Sequence, residues 1–182
     1  MTWLALMIAA SLPAATPPAR SQPIAIHPGE SITLEMRNDA AVVVERGPAP
    51  PISAFESGML RRLQAQQVPA GSGVQPAIAM SRSQLEAEPP TPAANRVRLT
   101  FRRVPGVRPG AEDHSFLLVV NGFAASFRYR ATMHVRDNVA PTDVCEIPPH
   151  ISGSEHWPYV IDQLDLTAVW LEAFQPDNVR CE

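Results

Sequence analysis

The densest run of chemically capable side chains is "CEIPPHISGSEHWPY", residues 145–159. It offers His150, Glu155 and His156, with Glu146 close by, and imidazoles beside a carboxylate can ligate zinc. Their spacing fits no standard metal template, so the competing reading is a Pro-rich surface loop carrying ordinary histidines. Trp157 and Tyr159 flank Pro158 in the same run. Exposed, they would stack on sugar rings or on a partner's apolar surface; buried, they would anchor the loop to the body of the protein.

Arginine is the second resource. The 15 basic residues are all Arg, with no Lys in the chain. Arg98, Arg102, Arg128, Arg130 and Arg136 fall opposite the apolar positions of their segments. If those segments are neighbours, they form a basic stripe suited to a phosphate- or carboxylate-bearing surface, such as an anionic envelope lipid or polysaccharide. If not, they are the charged exterior of a sheet. A net charge of −3 argues against a nucleic-acid partner. Asp113, His114 and Ser115 are adjacent, which does not make a triad, because alternate strand residues point to opposite faces. The chain has no nucleophile elbow, P-loop, dinucleotide fingerprint, H-E-x-x-H or C-x-x-C. Nothing in it implies a cofactor.

Cys145 and Cys181 are the only cysteines. In an exported chain they would form one disulfide, stabilising the fold by roughly 4 kcal/mol in the chain-entropy model. Export is expected from the opening "MTWLALMIAASLPAATPPARSQP". A ten-residue apolar run from Trp3 to Leu12 is too short to span a bilayer and leads into small residues at Ala14 and Ala15. This is the layout of a secretory leader over residues 1–15, although its start lacks a basic residue. A linker over 16–23 and a single β-rich domain over 24–182 follow.

What must position the candidate side chains is mainly strand. Hydrophobic residues make up 45% of the chain, enough for a real core. Its 20 prolines are about twice average usage and punctuate short elements. Ile32, Leu34 and Met36 alternate with Thr33, Glu35 and Arg37, and "AVVVER" returns after Asn38-Asp39, so 31–46 reads as a hairpin. Val97, Leu99 and Phe101 alternate with Arg98, Thr100 and Arg102. Ser53 and Glu56 have capping-box spacing, and Phe55, Met59 and Leu63, with Leu60 beside them, make a stripe, which predicts an amphipathic helix over about 53–67. Residues 69–95 carry no clear period.

"HSFLLVVNGFAASFRYRATMHV" (114–135) reads as a hairpin turning at Asn121-Gly122, since both residue types tolerate positive φ in a type I′ turn. That register sets Phe116 against Phe127 and His114 against Tyr129. It puts Phe116, Leu118 and Val120 on the core face, with Phe127 and Tyr129. Leu117, Val119, Ala124 and Ser126 then lie on an outer face, covered by the 53–67 helix or by a partner. Leu164, Leu166, Ala168 and Trp170 alternate in a final strand over about 162–172.

The expected fold is therefore an antiparallel β-sandwich with one amphipathic helix; a flattened β-barrel is the alternative. The expected function is that of an exported, non-catalytic binding or structural module of the cell envelope. Its contacts would be Trp157, Tyr159, His156, Glu155, His150, Arg128 and Arg130, and its partner an envelope component or protein. The alternative is an exported hydrolytic or metal-dependent enzyme using His150, Glu155 and His156.

Overall fold

The computed structural model describes residues 22–67, 89–106, 110–176 and 181, with the backbone alone for 64–67. The expected leader, most of the linker and most of the aperiodic stretch fall outside these residues. The elements run β1 (Ile24–Ile26), β2 (Glu30–Arg37), β3 (Ala40–Pro48), α1 (Ala54–Gln67), β4 (Val97–Val104), β5 (His114–Asn121), β6 (Ser126–Val135), β7 (Asn138–Thr142), β8 (Ser152–Trp157) and β9 (Gln163–Glu172). They form two antiparallel sheets, ordered β3-β2-β4-β5-β8 and β1-β9-β6-β7. The sheets stay separate, so the fold is a β-sandwich and not a closed barrel.

The 31–46 hairpin is present as β2–β3. Alternation in β2 and β4 works as expected: Ile32, Leu34, Val97, Leu99 and Phe101 face the opposite sheet and join Phe127, Tyr129, Leu164 and Leu166 in the main core. Burying such side chains supplies most of the driving force for this layered arrangement.

The hairpin expected at 114–135 does not form. β5 pairs with β4 and β8, while β6 pairs with β7 and β9 in the other sheet. The connection is an arch that crosses the sandwich. Neither Asn121 nor Gly122 has the positive φ that a type I′ turn requires. The pair serves the arch differently. Fully buried Asn121 donates through Nδ2 to the carbonyls of Ala125, Ile147 and Pro148, and its Oδ1 accepts the Phe123 N–H. Gly122 is where the 93–96 loop touches down: a Cβ there would stand 1.8 Å from the Ala93 carbonyl oxygen.

This inverts the faces of β5. Leu117 and Val119, expected outside, lie in the main core. Phe116, Leu118 and Val120, expected inside, form a second cluster with Val104 and Leu60 of α1, against which Phe55, Met59 and Leu63 also pack. Phe116 and Phe127 therefore belong to different cores and are not a cross-strand pair. The helix covers β5 as one of the two expectations had it, but on the opposite face. Its capping box is formed: Ser53 N–H donates to Glu56 Oε2 at 2.9 Å, and Glu56 N–H donates to Ser53 Oγ at 3.1 Å.

The final strand has a second inversion. Arg130 pairs with Ala168 but Ala131 pairs with Leu166, so Thr167 is the extra residue of a bulge. A bulge reverses alternation beyond it. Leu164 and Leu166 are core as expected, but Val169 and Leu171 then pack inward, and Trp170 lies outward over Arg128.

Candidate functional site

The expected cluster at 145–159 is pulled apart by the alternation of β8. Glu155 pairs with Leu117 and Trp157 with Ser115, which turns both side chains between the sheets. His156 pairs with Phe116 and faces the other way, toward the helix side. His150 is exposed at a turn, with φ 58°. His150, Glu155 and His156 therefore share no face. Among the described residues, no group of three or more His, Cys, Asp or Glu is placed to hold a metal ion.

Trp157 is no exposed platform either. It is buried, edge-to-face with Phe101 at 6.3 Å, and its Nε1–H donates to Thr142 Oγ1 at 2.7 Å. Tyr159 is half-buried, and its hydroxyl contacts Met133 Sδ at 3.4 Å. The anchoring alternative is thus the one realised for Trp157.

The basic stripe is also split, because β4 and β6 lie in different sheets. Arg102 is buried beneath the start of α1, where Nε donates to Glu56 Oε1 at 2.9 Å and NH2 to the Pro50 carbonyl at 2.6 Å. The capping glutamate thus also neutralises an internal arginine. Arg128 is 4% exposed, paired with Glu172 at 2.8 Å and stacked 5.3 Å over Trp170. Arg98 and Arg130 are exposed, on opposite outer faces.

Two arrangements remain with chemical potential. The first surrounds Glu155. The expected disulfide between Cys145 and Cys181 is formed, and Glu155 Oε1 accepts the Cys145 N–H at 2.7 Å. Burial among apolar neighbours pushes this carboxyl up to about 7; the Cys145 N–H pulls in the opposite direction. Facing it from β6 is Tyr129, whose buried hydroxyl has no hydrogen-bond partner among the described residues. Burial first, and the Glu155 charge second, raise the phenol well above its ordinary range. On the other face of β8, His156 Nε2 lies 3.0 Å from His114 Nδ1. Burial, then the neighbouring His114, depress His156, which disfavours its charged form.

The second arrangement is at one end of the sandwich, where the loops after β1, β3, β4, β6 and β8 meet. Asp162 is its hub. Its Oδ2 accepts the Arg136 N–H at 2.9 Å, its Oδ1 lies 3.7 Å from Arg103, and its carbonyl is 3.3 Å from His27 Nδ1. On one side is an open groove of about 530 Å³, walled by His27, Gly29, Ile52 and Arg103. On the other is one of about 490 Å³, walled by Glu112, Asp113, Arg136 and Tyr159. Of the expected contact residues, only Tyr159 lines either groove. Arg102 and Arg136 of the expected basic stripe also line them, one in each groove. Sequence reasoning missed His27, Ile52, Arg103, Glu112 and Asp162, because separate loops and the end of β4 supply them with no shared local pattern.

No protein-family model, curated protein or solved structure matches the chain.

Proposed function

We propose that the chain is a non-catalytic binding module of an oxidising compartment outside the cytoplasm, and that the paired grooves around Asp162 are its contact surface. The observation that carries this reading is the convergence of two open grooves, about 530 and 490 Å³, on one carboxylate at the loop end of the sandwich. Loops set on a rigid scaffold commonly carry recognition. The walls mix both charges with a tyrosine edge and with Ile52, which is exposed. That mixture suits a polar, hydrogen-bonding ligand such as a saccharide or an extended peptide segment of an envelope component. The disulfide supports the compartment, since such bonds persist where thiols are not kept reduced. No helix among the described residues is long and apolar enough to cross a membrane.

The hydrolytic or metal-dependent alternative has less support, because the side chains it would use diverge. The test is photo-crosslinking in the source cells, with a photoreactive residue replacing Ile52 or Val160 at the grooves or, as a control, exposed Thr167 on β9. A discrete adduct from both groove positions and none from Thr167 is expected. Equal labelling at all three positions, or none, overturns the assignment.

A further inference from the structure

The grooves leave unexplained why a carboxyl without a cation opposite it is held inside the sandwich against the disulfide. Glu155 has no ion-pair partner among the described residues. Its contact is the Cys145 N–H at 2.7 Å, and the titratable group facing it from the opposite sheet is Tyr129. A glutamine at position 155 would keep an acceptor for the Cys145 N–H, so packing and hydrogen bonding alone give no reason for an ionisable group here.

The two sulfurs differ in access. Cys181 is exposed, whereas Cys145 is half-buried in the segment that closes the edge of the sandwich, between Val144 and Glu146, both buried. An incoming thiolate therefore reaches Cys181 more readily, which makes Cys145 the leaving sulfur. A thiolate expelled into poorly solvated surroundings is a poor leaving group, because desolvation disfavours its charge. A proton delivered as the bond breaks removes that penalty.

We propose that the Cys145–Cys181 bridge is an exchange-active disulfide, that Glu155 is the proton donor to its Cys145 sulfur, and that its reaction partner is a small-molecule thiol. In the first step the thiolate attacks Cys181 Sγ and forms a mixed disulfide. The Cys145–Cys181 bond breaks, its electron pair goes to Cys145 Sγ, and that sulfur takes the proton of the Glu155 carboxylic acid directly or through one water. The products are a Cys145 thiol and a Glu155 carboxylate, to which the unpartnered Tyr129 hydroxyl can donate. A second thiolate attacks the small-molecule sulfur of the mixed disulfide. This releases Cys181 as a thiolate that solvent protonates, together with the small-molecule disulfide, and Glu155 regains its proton from water. Two thiols are oxidised and one protein disulfide is reduced. In reverse, the Glu155 carboxylate accepts the Cys145 thiol proton as that sulfur attacks.

The experiment uses the oxidised full chain and reduced glutathione, between about pH 5.5 and 8.5, with alkylation and intact mass as the readout and each rate divided by the glutathione thiolate concentration. The wild-type rate per thiolate is expected to fall by about tenfold or more as pH rises through the range where Glu155 loses its proton, about 7. Glu155→Gln is expected to give a flat profile at the lower level. The first glutathione adduct is expected on Cys181. A flat wild-type profile overturns the proposal, as does an unchanged profile in Glu155→Gln, a first adduct on Cys145, or a bond that millimolar glutathione leaves intact. If Glu155→Gln does not fold, the wild-type profile and the adduct position decide.

Discussion

Replacing Glu155 by Gln should make the protein more stable at alkaline pH and change little in acid. Burial raises the folded carboxyl to about 7, against 4.5 for an ordinary one. The fold thus binds this proton more tightly than the unfolded chain does. The associated stability is fully present below pH 4.5 and is lost as pH rises through 7. A gap of about 2.5 between the two values, at about 1.36 kcal/mol each, sets a ceiling of about 3 kcal/mol. Glu155 retains some contact with solvent, which brings the expected figure to about 2 kcal/mol. Glutamine keeps an acceptor for the Cys145 N–H, carries no charge, and its NH2 can donate to the unpartnered Tyr129 hydroxyl. Urea unfolding of both proteins from about pH 4.5 to 8.5 isolates the effect, because titrations elsewhere cancel in the difference. The two should coincide near pH 4.5, and Gln should lead by about 2 kcal/mol at pH 8.5. Parallel curves, or a Gln variant less stable at high pH, would refute the account of this carboxyl.

Phe116→Ala and Phe127→Ala should each cost about 3–5 kcal/mol, but only Phe116→Ala should raise amide exchange in α1, since only Phe116 lies in the cluster beneath the helix. Glu56→Ala removes the acceptor of the Ser53 N–H in the capping box and leaves the Arg102 charge buried without its carboxylate, so a loss of about 3–5 kcal/mol in denaturant unfolding is expected. Gly122→Ala should cost roughly 3 kcal/mol or more, or prevent folding, because its Cβ would meet the Ala93 carbonyl oxygen at 1.8 Å. Arg130→Ala should stay within about 0.5 kcal/mol of wild type while Arg128→Ala loses about 2, as one is exposed and the other is buried over Trp170. Protein recovered from its own cells should have an intact mass two hydrogens below that of the reduced chain, and a fully reduced chain would count against both the compartment and the exchange chemistry.

The sequence by itself determined what local spacing controls. Period-two alternation placed Ile32, Leu34, Val97, Leu99 and Phe101 inward, because in a strand the side-chain direction is fixed by the backbone. Ser53 and Glu56 marked the helix start, because a capping box is closed within four residues. Two cysteines in a chain this size admit only one intramolecular pairing, and that pairing is formed.

Tertiary structure decided whatever depended on which strand lies beside which. β5 is apolar on both faces because it is buried twice, by the opposite sheet at Leu117 and Val119 and by α1 at Phe116, Leu118 and Val120. Such a strand carries no alternation to reveal which face is which. Asn121-Gly122 has the same composition whether it turns a hairpin or caps an arch; only the packing of residues 93–96 and 147–148 against it separates the two. The single extra residue at Thr167 sent Trp170 outward against the pattern of its own strand. The candidate sites followed the same rule. His150, Glu155 and His156 are close in sequence and were separated by strand parity. Asp162, His27, Arg103 and Tyr159 are far apart or unremarkable in sequence and were gathered by the sheet ends. The Glu155 carboxyl owes its proton affinity to the apolar sheet across from it, a surface supplied by residues distant in the chain.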